Sequence, residues 1–322
     1  MNDKNVIAIT AYNKSDLLFL YLEQLYKDPT ISEYKIRIYT EYGFCPEQLN
    51  VIAEYSKKYP KVDIKQVCRQ KHPFCKLTGF HNILTSYLLA ANEAKDFVII
   101  GEEDMLPTDD YIKFNKYIYD EYLSKHDKIF CAAHKRRPEI EKNGDPEILI
   151  GDYQCTSPSC VSVKAIYKYM APFLSNPLFF SNTHEFYSNF FFNSRIKTYE
   201  HTHHDGAIER IMEHFELFSL KPDQSRSMHV GLSGIFCKGK APQGSFDSRL
   251  EQWRELIKDG DRLRSLSDVP QEMVVVDTKG PEWNKLELDI NRNIAIASSW
   301  WYDKQNQFKQ YIENERLLSR NL

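Results

Sequence analysis

Three consecutive carboxylates, Glu102, Glu103 and Asp104, lie one glycine after the apolar run 97–100. This run is rich in β-branched residues and predicts a short buried strand. Acids at the carboxyl end of a buried parallel strand lie at the sheet edge where open α/β folds bind ligands. Because such close anions repel one another, they predict a bound cation, and oxygen ligands suit Mg²⁺ or Mn²⁺. The alternative is an acidic loop before a helix N-terminus, where acids are favoured anyway.

A further carboxylate that could do chemistry, Asp205, stands in the segment 203–212. It precedes apolar residues that recur at helical spacing, so it can cap a helix. A carboxylate at a helix start that borders a cleft can also act as a general base. The residues alone leave capping and catalysis as alternatives.

His229 stands between a short strand-like segment and the glycine-rich run 231–245. A lone histidine is more often structural, but close to the carboxylates in space it would be an additional metal ligand. The glycine content of the run after it is typical of a mobile lid. An ordinary surface loop is the alternative for that run.

Strands and helices that alternate along the first hundred residues would position these groups. This alternation predicts a parallel sheet with helices on both faces, an α/β fold. The predicted strands are 6–11, 35–40, 62–67 and 97–100, and the predicted helices are 17–25, capped by Ser15 or Asp16, 49–59 and 80–94. Further on, the pattern predicts a helix at 110–123 and strands at 128–133 and 154–163, with a polar surface loop at 135–151 between the strands.

Neither a GxGxxG fingerprint nor a GxxxxGK[ST] loop follows the first strand. A nucleotide bound here would therefore need a metal and Lys or Arg side chains to balance its diphosphate.

Beyond residue 246 the chain becomes charged and helical. We therefore expect a catalytic domain at 1–245 and a mostly helical extension at 246–322 that packs on it.

The composition limits the class of protein. The 322 residues are 42% hydrophobic, which is enough for a substantial core. The net charge is −3, which disfavours a general nucleic-acid binder. The seven cysteines form no CxxC pair and predict reduced thiols. The chain shows no signal peptide and no apolar run of about 20 residues that could span a bilayer. The expectation is a cytoplasmic protein.

The three chemical stretches, in this order, resemble GT-A glycosyltransferases. The segment 8–14 with its leucine-rich helix resembles their nucleotide-binding start, and 97–111 resembles their acidic triplet followed by Pro-x-x-Asp-Tyr. The resemblance is greatest to the mannosyl-glycoprotein N-acetylglucosaminyltransferase family. There, 203–206 corresponds to a Trp-Asp-Asp-Trp segment, without its tryptophans and one acid, and 222–231 corresponds to Pro-Glu-x-Ser-Arg-Thr-x-His-x-Gly.

The resemblance implies a GT-A, Rossmann-like fold with a mixed, mostly parallel sheet. It also implies metal-dependent, inverting transfer from a nucleotide-sugar, most simply a UDP-sugar, to a hydroxyl of a glycan or another acceptor. Asp104 would bind Mn²⁺ or Mg²⁺ and His229 would complete that site. Asp205 would be the general base, with Glu209 one turn further along the same helix face as the reserve candidate.

The other donor contacts that the resemblance implies come from both halves of the chain. Glu102 would reach the ribose or the metal, and Glu103 would be an indirect partner. The full set of expected donor-binding residues is Ala11, Tyr12, Asn13, Asp63, Arg69, Lys71, Glu102, Glu103, Arg226 and Lys238. For the basic members Arg69 and Lys71, plain surface charge is the alternative.

Three other functions use the same residues. One is a nucleotide-sugar hydrolase with water as the acceptor, and another is a sugar-binding module whose acids only cap helices. A third is a glycosyltransferase that acts on hydroxylated bases in phage-type DNA. The acidic balance disfavours a nucleic-acid partner, although 135–137 and 238–240 could form a local basic face.

Overall fold

The computed structural model describes residues 3–70, 78–133, 148–150, 158–176, 179–180, 204–215, 217–222, 226–232 and 240–259. Apolar and β-branched runs form the strands. These are β1 Asn5–Ala11, β2 Tyr34–Thr40, β3 Asp63–Cys68, β4 Phe97–Glu102, β5 Met105–Pro107, β6 Ile129–Ala133, β7 Ile148–Ile150, β8 Pro158–Ser162, β9 Phe218–Pro222 and β10 Ser227–His229.

Helices connect and cover these strands. They are α1 Ser15–Leu25, α2 Glu47–Lys58, α3 Thr78–Glu93, α4 Tyr111–Ile118, α5 Val163–Ala165, α6 Ala171–Leu174, α7 His204–Phe215 and α8 Phe246–Lys258. A 3₁₀ turn at Ile31–Glu33 and π-helical segments at Tyr119–Leu123 and Ile166–Met170 complete the described elements. Among the described residues, no helix has the length and apolar character needed to cross a bilayer.

The main sheet has eight strands in the order β3-β2-β1-β4-β8-β6-β9-β7. Strands β1 to β4 are mutually parallel, β8 is antiparallel to both of its neighbours, β9 is parallel to β6, and β7 is antiparallel to β9. The predicted α/β class with a mixed, mostly parallel sheet is therefore confirmed. Strands β2 and β3 extend to one side of β1 and β4 lies on the other, so the winding reverses between β1 and β4.

The sheet separates two hydrophobic clusters, because side chains alternate between the faces of a strand. Ile7 and Ile9 of β1 belong to the cluster formed with α1, α2, α4 and α8. Val6 and Ala8 belong to the cluster formed with α3, α6 and α7. The result is the three-layer arrangement that the strand–helix alternation predicts.

Gly101 allows α1 to approach β4 closely. A Cβ atom added to Gly101 would overlap the hydroxyl and ring of Tyr21, which is fully buried on α1. A buried ring in a closely packed core has no space into which it can move. Gly101 is therefore required by packing rather than by its backbone angles.

We expect Gly101→Ala to lower the free energy of unfolding by about 1–3 kcal/mol, because overpacking forces side chains off their rotamers. Urea denaturation measures the change. Gly79→Ala is the matched control. A Cβ atom added to Gly79 would have Glu41 Oε2 as its nearest neighbour, at 3.5 Å, which is an ordinary contact. Alanine is also favoured over glycine in a helix. Equal stability of the two variants would show that Tyr21 does not require the glycine.

The last described helix, α8, packs against α1. Trp253 is buried and its Nε1 donates a hydrogen bond to Asp16 Oδ2 at 2.9 Å. The guanidinium of Arg249 contacts Asp16 and Glu47. The start of the predicted extension thus joins the core of the preceding region. Residues 260–322 lie outside the described residues, so the expected division at 245/246 stays a prediction.

Two short pairings are absent from the sequence prediction. The stretch 135–151 was expected to be a surface loop, but its residues Ile148–Ile150 form β7 and pair with β9, so that prediction is wrong there. Strands β5 and β10 form a separate two-stranded antiparallel sheet, in which Met105 pairs with His229. Strands of three residues are too short to show an alternation.

Cys45, Cys68, Cys131 and Cys160 are free thiols, as expected for the described cysteines.

Candidate active site

The candidate site lies at the carboxyl edge of the sheet where the winding reverses. Thr10 of β1 pairs with Glu102 of β4, so the two strands end at the same level. The backbone N–H of Glu103 donates to Thr10 O at 3.0 Å, which joins the turn after β4 to β1. Open α/β sheets bind ligands outside the carboxyl ends of strands at such a reversal. The acidic triplet therefore stands at the position that the topology favours.

Glu103 holds the loop between β1 and α1. Its Oε1 accepts hydrogen bonds from the backbone N–H groups of Tyr12, Asn13 and Lys14 at 3.1, 3.2 and 3.2 Å. Its Oε2 accepts from Gln48 Nε2 at 2.6 Å. Burial raises the pKa of Glu103 to about 7, and the backbone hydrogen bonds partly offset that rise. Both oxygens thus contact the protein, which suits the indirect part in donor binding predicted for this residue.

Asp104 and His229 come together through the β5–β10 sheet. His229 Nε2 lies 3.6 Å from Asp104 Oδ2, and the backbone N–H of Val230 donates to Asp104 O at 2.8 Å. Lys14 Nζ forms an ion pair with the same Oδ2 atom. A Cβ atom added to Gly231 would overlap the Asp104 carboxylate, so only glycine leaves room for that carboxylate. The two predicted metal ligands are therefore neighbours.

Glu102 and Asp205 come together around one imidazole. His204, the first residue of α7, places its Nε2 3.1 Å from Asp205 Oδ1 and 3.6 Å from Glu102 Oε1. The side chains of Glu102 and Asp205 are 27% and 30% exposed, so both are accessible to a ligand. The chemical stretches separated by about a hundred residues in the sequence thus meet at one sheet edge.

Glu209 is less accessible than Asp205. It lies one turn further along α7 and is buried at 9% exposure. The next residue, Arg210, is also buried and donates to Gly206 O at 3.3 Å. A proton acceptor has to be within hydrogen-bond reach of its substrate. The half-exposed Asp205 therefore fits the role of base better than the reserve candidate.

The structure places Asp63, for which the resemblance implies a contact with the base of the nucleotide, away from the other candidate residues, and that contact stays a prediction. Asp63 begins β3, and its Oδ2 accepts from Arg37 Nη2 at 2.9 Å. Thr10, at the level of Glu102, is also level with Tyr39 and Val67. Asp63 precedes Val67 by four residues. At about 3.3 Å per residue, that places Asp63 about 13 Å towards the amino edge. Asp63 serves as an ion-pair partner of the buried Arg37.

The contact of Arg226 with phosphate that the resemblance implies also stays a prediction, and the structure buries this residue. Its side chain is fully buried, with Nε 3.1 Å from Asp110 Oδ2 and the guanidinium 5.4 Å from the ring centroid of Phe114. Its backbone carbonyl accepts from Thr108 N at 3.0 Å. Arg226 therefore joins β10 to α4 beneath the site.

The remaining expected donor contacts lie at the carboxyl edge or outside the described residues. Tyr12 and Asn13 are exposed just after β1, and Ala11 is buried at its end. Arg69 follows β3 at the same edge, and its Nη2 donates to Thr85 Oγ1 at 2.7 Å. Burial lowers the pKa of Arg69. The other two basic residues, Lys71 and Lys238, lie outside the described residues.

Three side chains near the site were missed by the sequence analysis. Lys14 and His204 each adjoin a predicted site residue, and that adjacency was the available signal. Glu41 follows β2, as Glu102 ends β4, and its backbone N–H donates to Ala11 O at 2.9 Å. Burial raises the pKa of Glu41 from 4.5 to about 7. The folded protein thus binds this proton more tightly than the unfolded chain, so Glu41 lowers stability as the pH rises across that interval.

The residues present fit a metal that a substrate helps to hold. Among the described residues there is no group of three or more His, Cys, Asp or Glu side chains that could hold an ion. Asp104 and His229 offer one carboxylate and one imidazole. Mg²⁺ is commonly held by one or two carboxylates together with substrate phosphates and water. The donor set therefore suits an ion that arrives with a diphosphate better than a permanently bound one.

No protein-family model and no curated protein matches this sequence. Among solved structures, the mannosyltransferase PcManGT from Pyrobaculum calidifontis in complex with GDP-Man and Mn²⁺ is 12% identical, with a TM-score of 0.34 over 44% of this chain and 37% of that one. S. aureus TarS 1–349 is 13% identical, with a TM-score of 0.44 over 70% of this chain and 59% of that one. TarS in complex with UDP is 15% identical, with a TM-score of 0.36 over 51% and 48%. The chain spans less than two thirds of each, and similarity this low identifies no family.

Proposed function

We propose that this chain is a metal-dependent glycosyltransferase of the GT-A type. It would transfer a sugar from a nucleotide-sugar, with a UDP-sugar as the first candidate, to an acceptor hydroxyl. One observation carries the proposal: Asp104 with His229, and Glu102 with Asp205, lie together at the carboxyl edge between β1 and β4. A site for anionic substrates and a candidate base therefore share one edge of the sheet.

The donor would lie across the ends of β1 and β4. Asp104 and His229 would hold Mn²⁺ or Mg²⁺, and that ion would neutralise the diphosphate as it leaves. Glu102, at the end of β4 and partly exposed, is placed to reach the ribose directly or the ion through water. Tyr12 and Asn13 are exposed beside it and would border the nucleoside.

The acceptor step would use Asp205. Its carboxylate would take the proton of the acceptor hydroxyl while that oxygen forms a bond to the anomeric carbon. The bond from the anomeric carbon to the phosphate oxygen would break on the opposite face, releasing a nucleoside diphosphate and inverting the sugar. The proton would then pass from Asp205 to solvent, to which this side chain is 30% exposed.

Nucleotide-sugar binding is the first test. We expect a matching nucleotide-sugar with Mn²⁺ to raise the melting temperature, because a ligand that binds only the folded state at about 100 times its Kd stabilises by about 2.7 kcal/mol. Asp104→Ala should abolish the metal-dependent part of this shift. Asp120→Ala is the matched control, because Asp120 is a surface residue paired with Lys116 away from the site. Equal, metal-dependent binding by Asp104→Ala would show that the metal site is misassigned.

An acceptor screen separates the enzyme from the related functions. The proposal predicts that a hydroxyl-bearing acceptor increases release of the nucleoside diphosphate and becomes glycosylated. Release of free sugar at a rate that no acceptor changes would indicate a hydrolase. Binding without any release would indicate a binding module, and no binding across the panel would overturn the proposal.

A further inference from the structure

The cation that contacts Asp104 in this structure is a lysine ammonium. Lys14 Nζ forms an ion pair with Asp104 Oδ2, and the two side chains are 23% and 13% exposed. Glu102 and Glu103 also lie close enough to attract this ammonium. Such partial burial makes the attraction stronger than in an exposed pair. A divalent ion that binds Asp104 would therefore have to compete with Lys14.

The fold fixes the backbone of Lys14 beside Asp104. Its backbone N–H donates to Glu103 Oε1 at 3.2 Å, and the backbone N–H groups of Tyr12 and Asn13 donate to the same oxygen. The backbone of Gly231 lies on another side, where an added Cβ would be 3.1 Å from Lys14 Nζ. The ammonium is thus directed towards Asp104 by elements from both ends of the described chain.

Lys14 and His229 both lie next to the same oxygen, Asp104 Oδ2. His229 Nε2 lies 3.6 Å from Asp104 Oδ2, the atom that also pairs with Lys14. A metal held by Asp104 and His229 would therefore use the carboxylate oxygen that the ammonium now contacts. Because a lysine carries a flexible four-carbon stem, it can leave this contact without any change in the backbone.

We propose that Lys14 occupies the cation position of Asp104 until a divalent ion displaces it, and that the displaced ammonium then pairs with the donor's diphosphate. The second part rests on the proposed function. The backbone of Lys14 stays fixed by Glu103, so the ammonium remains near Asp104 after displacement. A diphosphate on a metal held by Asp104 would be close to the same carboxylate, since Mg²⁺–oxygen distances are about 2.1 Å, and so within reach of the Lys14 side chain.

This arrangement makes metal binding depend on the nucleotide. Without nucleotide, an incoming ion gains the Asp104 carboxylate but leaves the ammonium without its partner. With nucleotide, the diphosphate accepts the ammonium and removes that cost. The ion and the nucleotide should therefore bind cooperatively, each raising the affinity for the other by the same factor.

The test is equilibrium dialysis of Mn²⁺, alone and with UDP, against wild type, Lys14→Met and Lys14→Arg. We expect Lys14→Met to bind Mn²⁺ alone about tenfold more tightly than wild type, which corresponds to about 1.4 kcal/mol. The same variant should bind UDP at saturating Mn²⁺ about tenfold more weakly. Lys14→Arg keeps the charge and should stay close to wild type. Lys27→Met, at an exposed lysine after α1, is the matched control and should leave both affinities unchanged.

The outcomes separate this inference from the proposed function. Unchanged Mn²⁺ affinity in Lys14→Met would overturn the competition between the ammonium and the metal, whatever UDP does. Tighter Mn²⁺ binding with unchanged UDP affinity would overturn the contact with diphosphate alone. If no variant and no wild-type protein bound UDP or another nucleoside diphosphate, the proposed function and the diphosphate contact would both fail, while the Mn²⁺ comparison would still decide the first part.

Discussion

Replacing Asp205 by asparagine should leave donor affinity nearly unchanged and lower turnover by about 10²–10⁴-fold, the usual contribution of a general base. Asparagine has nearly the same shape but cannot take a proton at neutral pH. Its Oδ1 can still face His204 Nε2, which lies 3.1 Å from Asp205 Oδ1. The start of α7 should therefore keep its position. The measurement is the rate of nucleoside diphosphate release with donor and acceptor, beside the Kd of the donor.

Glu209→Gln is the matched control for that variant. Glu209 is on the same helix face one turn away but is buried, so its amide variant should reduce stability more than turnover. The melting temperature of both variants shows whether any loss of rate reflects unfolding. Retained turnover in Asp205→Asn together with lost turnover in Glu209→Gln would move the base to Glu209. Lost donor binding in Asp205→Asn would instead place Asp205 in the donor site.

The first half of the fold could be predicted because its strands carry clear local patterns. The central strands β1 and β4 are buried and appear as continuous apolar runs, whereas the edge strand β3 shows alternation, and these patterns located β1 to β4 to within one or two residues. The edge strand β7 and the β5–β10 sheet have three residues per strand. Their pairing depends on partners far away in the sequence, which no local pattern reveals.

The sequence indicated some of the residues that meet at this edge of the sheet, but none of their contacts. The order of motifs indicated Asp104 and His229, whose separation of 3.6 Å depends on the β5–β10 pairing. Arg226 carries a charge that the sequence shows, but the sequence does not show that the residue is buried beside Asp110. Asp63 is the second residue of the predicted strand 62–67, so a parallel sheet already puts it near the amino edge, and only the resemblance placed it with the donor.

Lys14 and His204 are residues near the site that the sequence alone did not reveal. Each adjoins a residue that the motifs identified, but neither type of residue is informative without distances. A lysine in a loop is usually solvated, and a histidine before a helix is usually a surface residue. Only the ion pair with Asp104 and the contact with two carboxylates give these side chains a chemical role.

Removing the carboxylate of Glu103 should destabilise the protein and disorganise the donor side together. In Glu103→Ala, the backbone N–H groups of Tyr12, Asn13 and Lys14 and the amide of Gln48 lose their acceptor. A buried donor left unsatisfied costs about 1–3 kcal/mol, and water can reach part of this loop. We therefore expect the free energy of unfolding to fall by about 3–5 kcal/mol, a large fraction of the 5–15 kcal/mol typical of a domain.

Glu103→Gln separates hydrogen bonding from charge. Its Oε1 can accept from the same three N–H groups, and its Nε2 can donate to Gln48 if the Gln48 amide turns over. This turn exchanges one hydrogen bond for another, because Gln48 Oε1, which has no hydrogen-bond partner among the described residues, gains one while Gln48 Nε2 loses its bond to residue 103. The isosteric variant should therefore lie within about 1 kcal/mol of wild type.

Urea denaturation of the two variants, together with their affinities for Mn²⁺ and UDP, tests whether the hydrogen bonds of Glu103 hold the loop after β1. Lys14 depends on Glu103 for the position of its backbone, so Glu103→Ala should also weaken the binding of UDP with Mn²⁺, whereas Glu103→Gln should retain it. If Glu103→Ala unfolded at the same urea concentration as Glu103→Gln, the loop would be held by its other contacts. Loss of nucleotide binding in both variants would then show that the carboxylate is needed for its charge, which Glu103→Gln lacks.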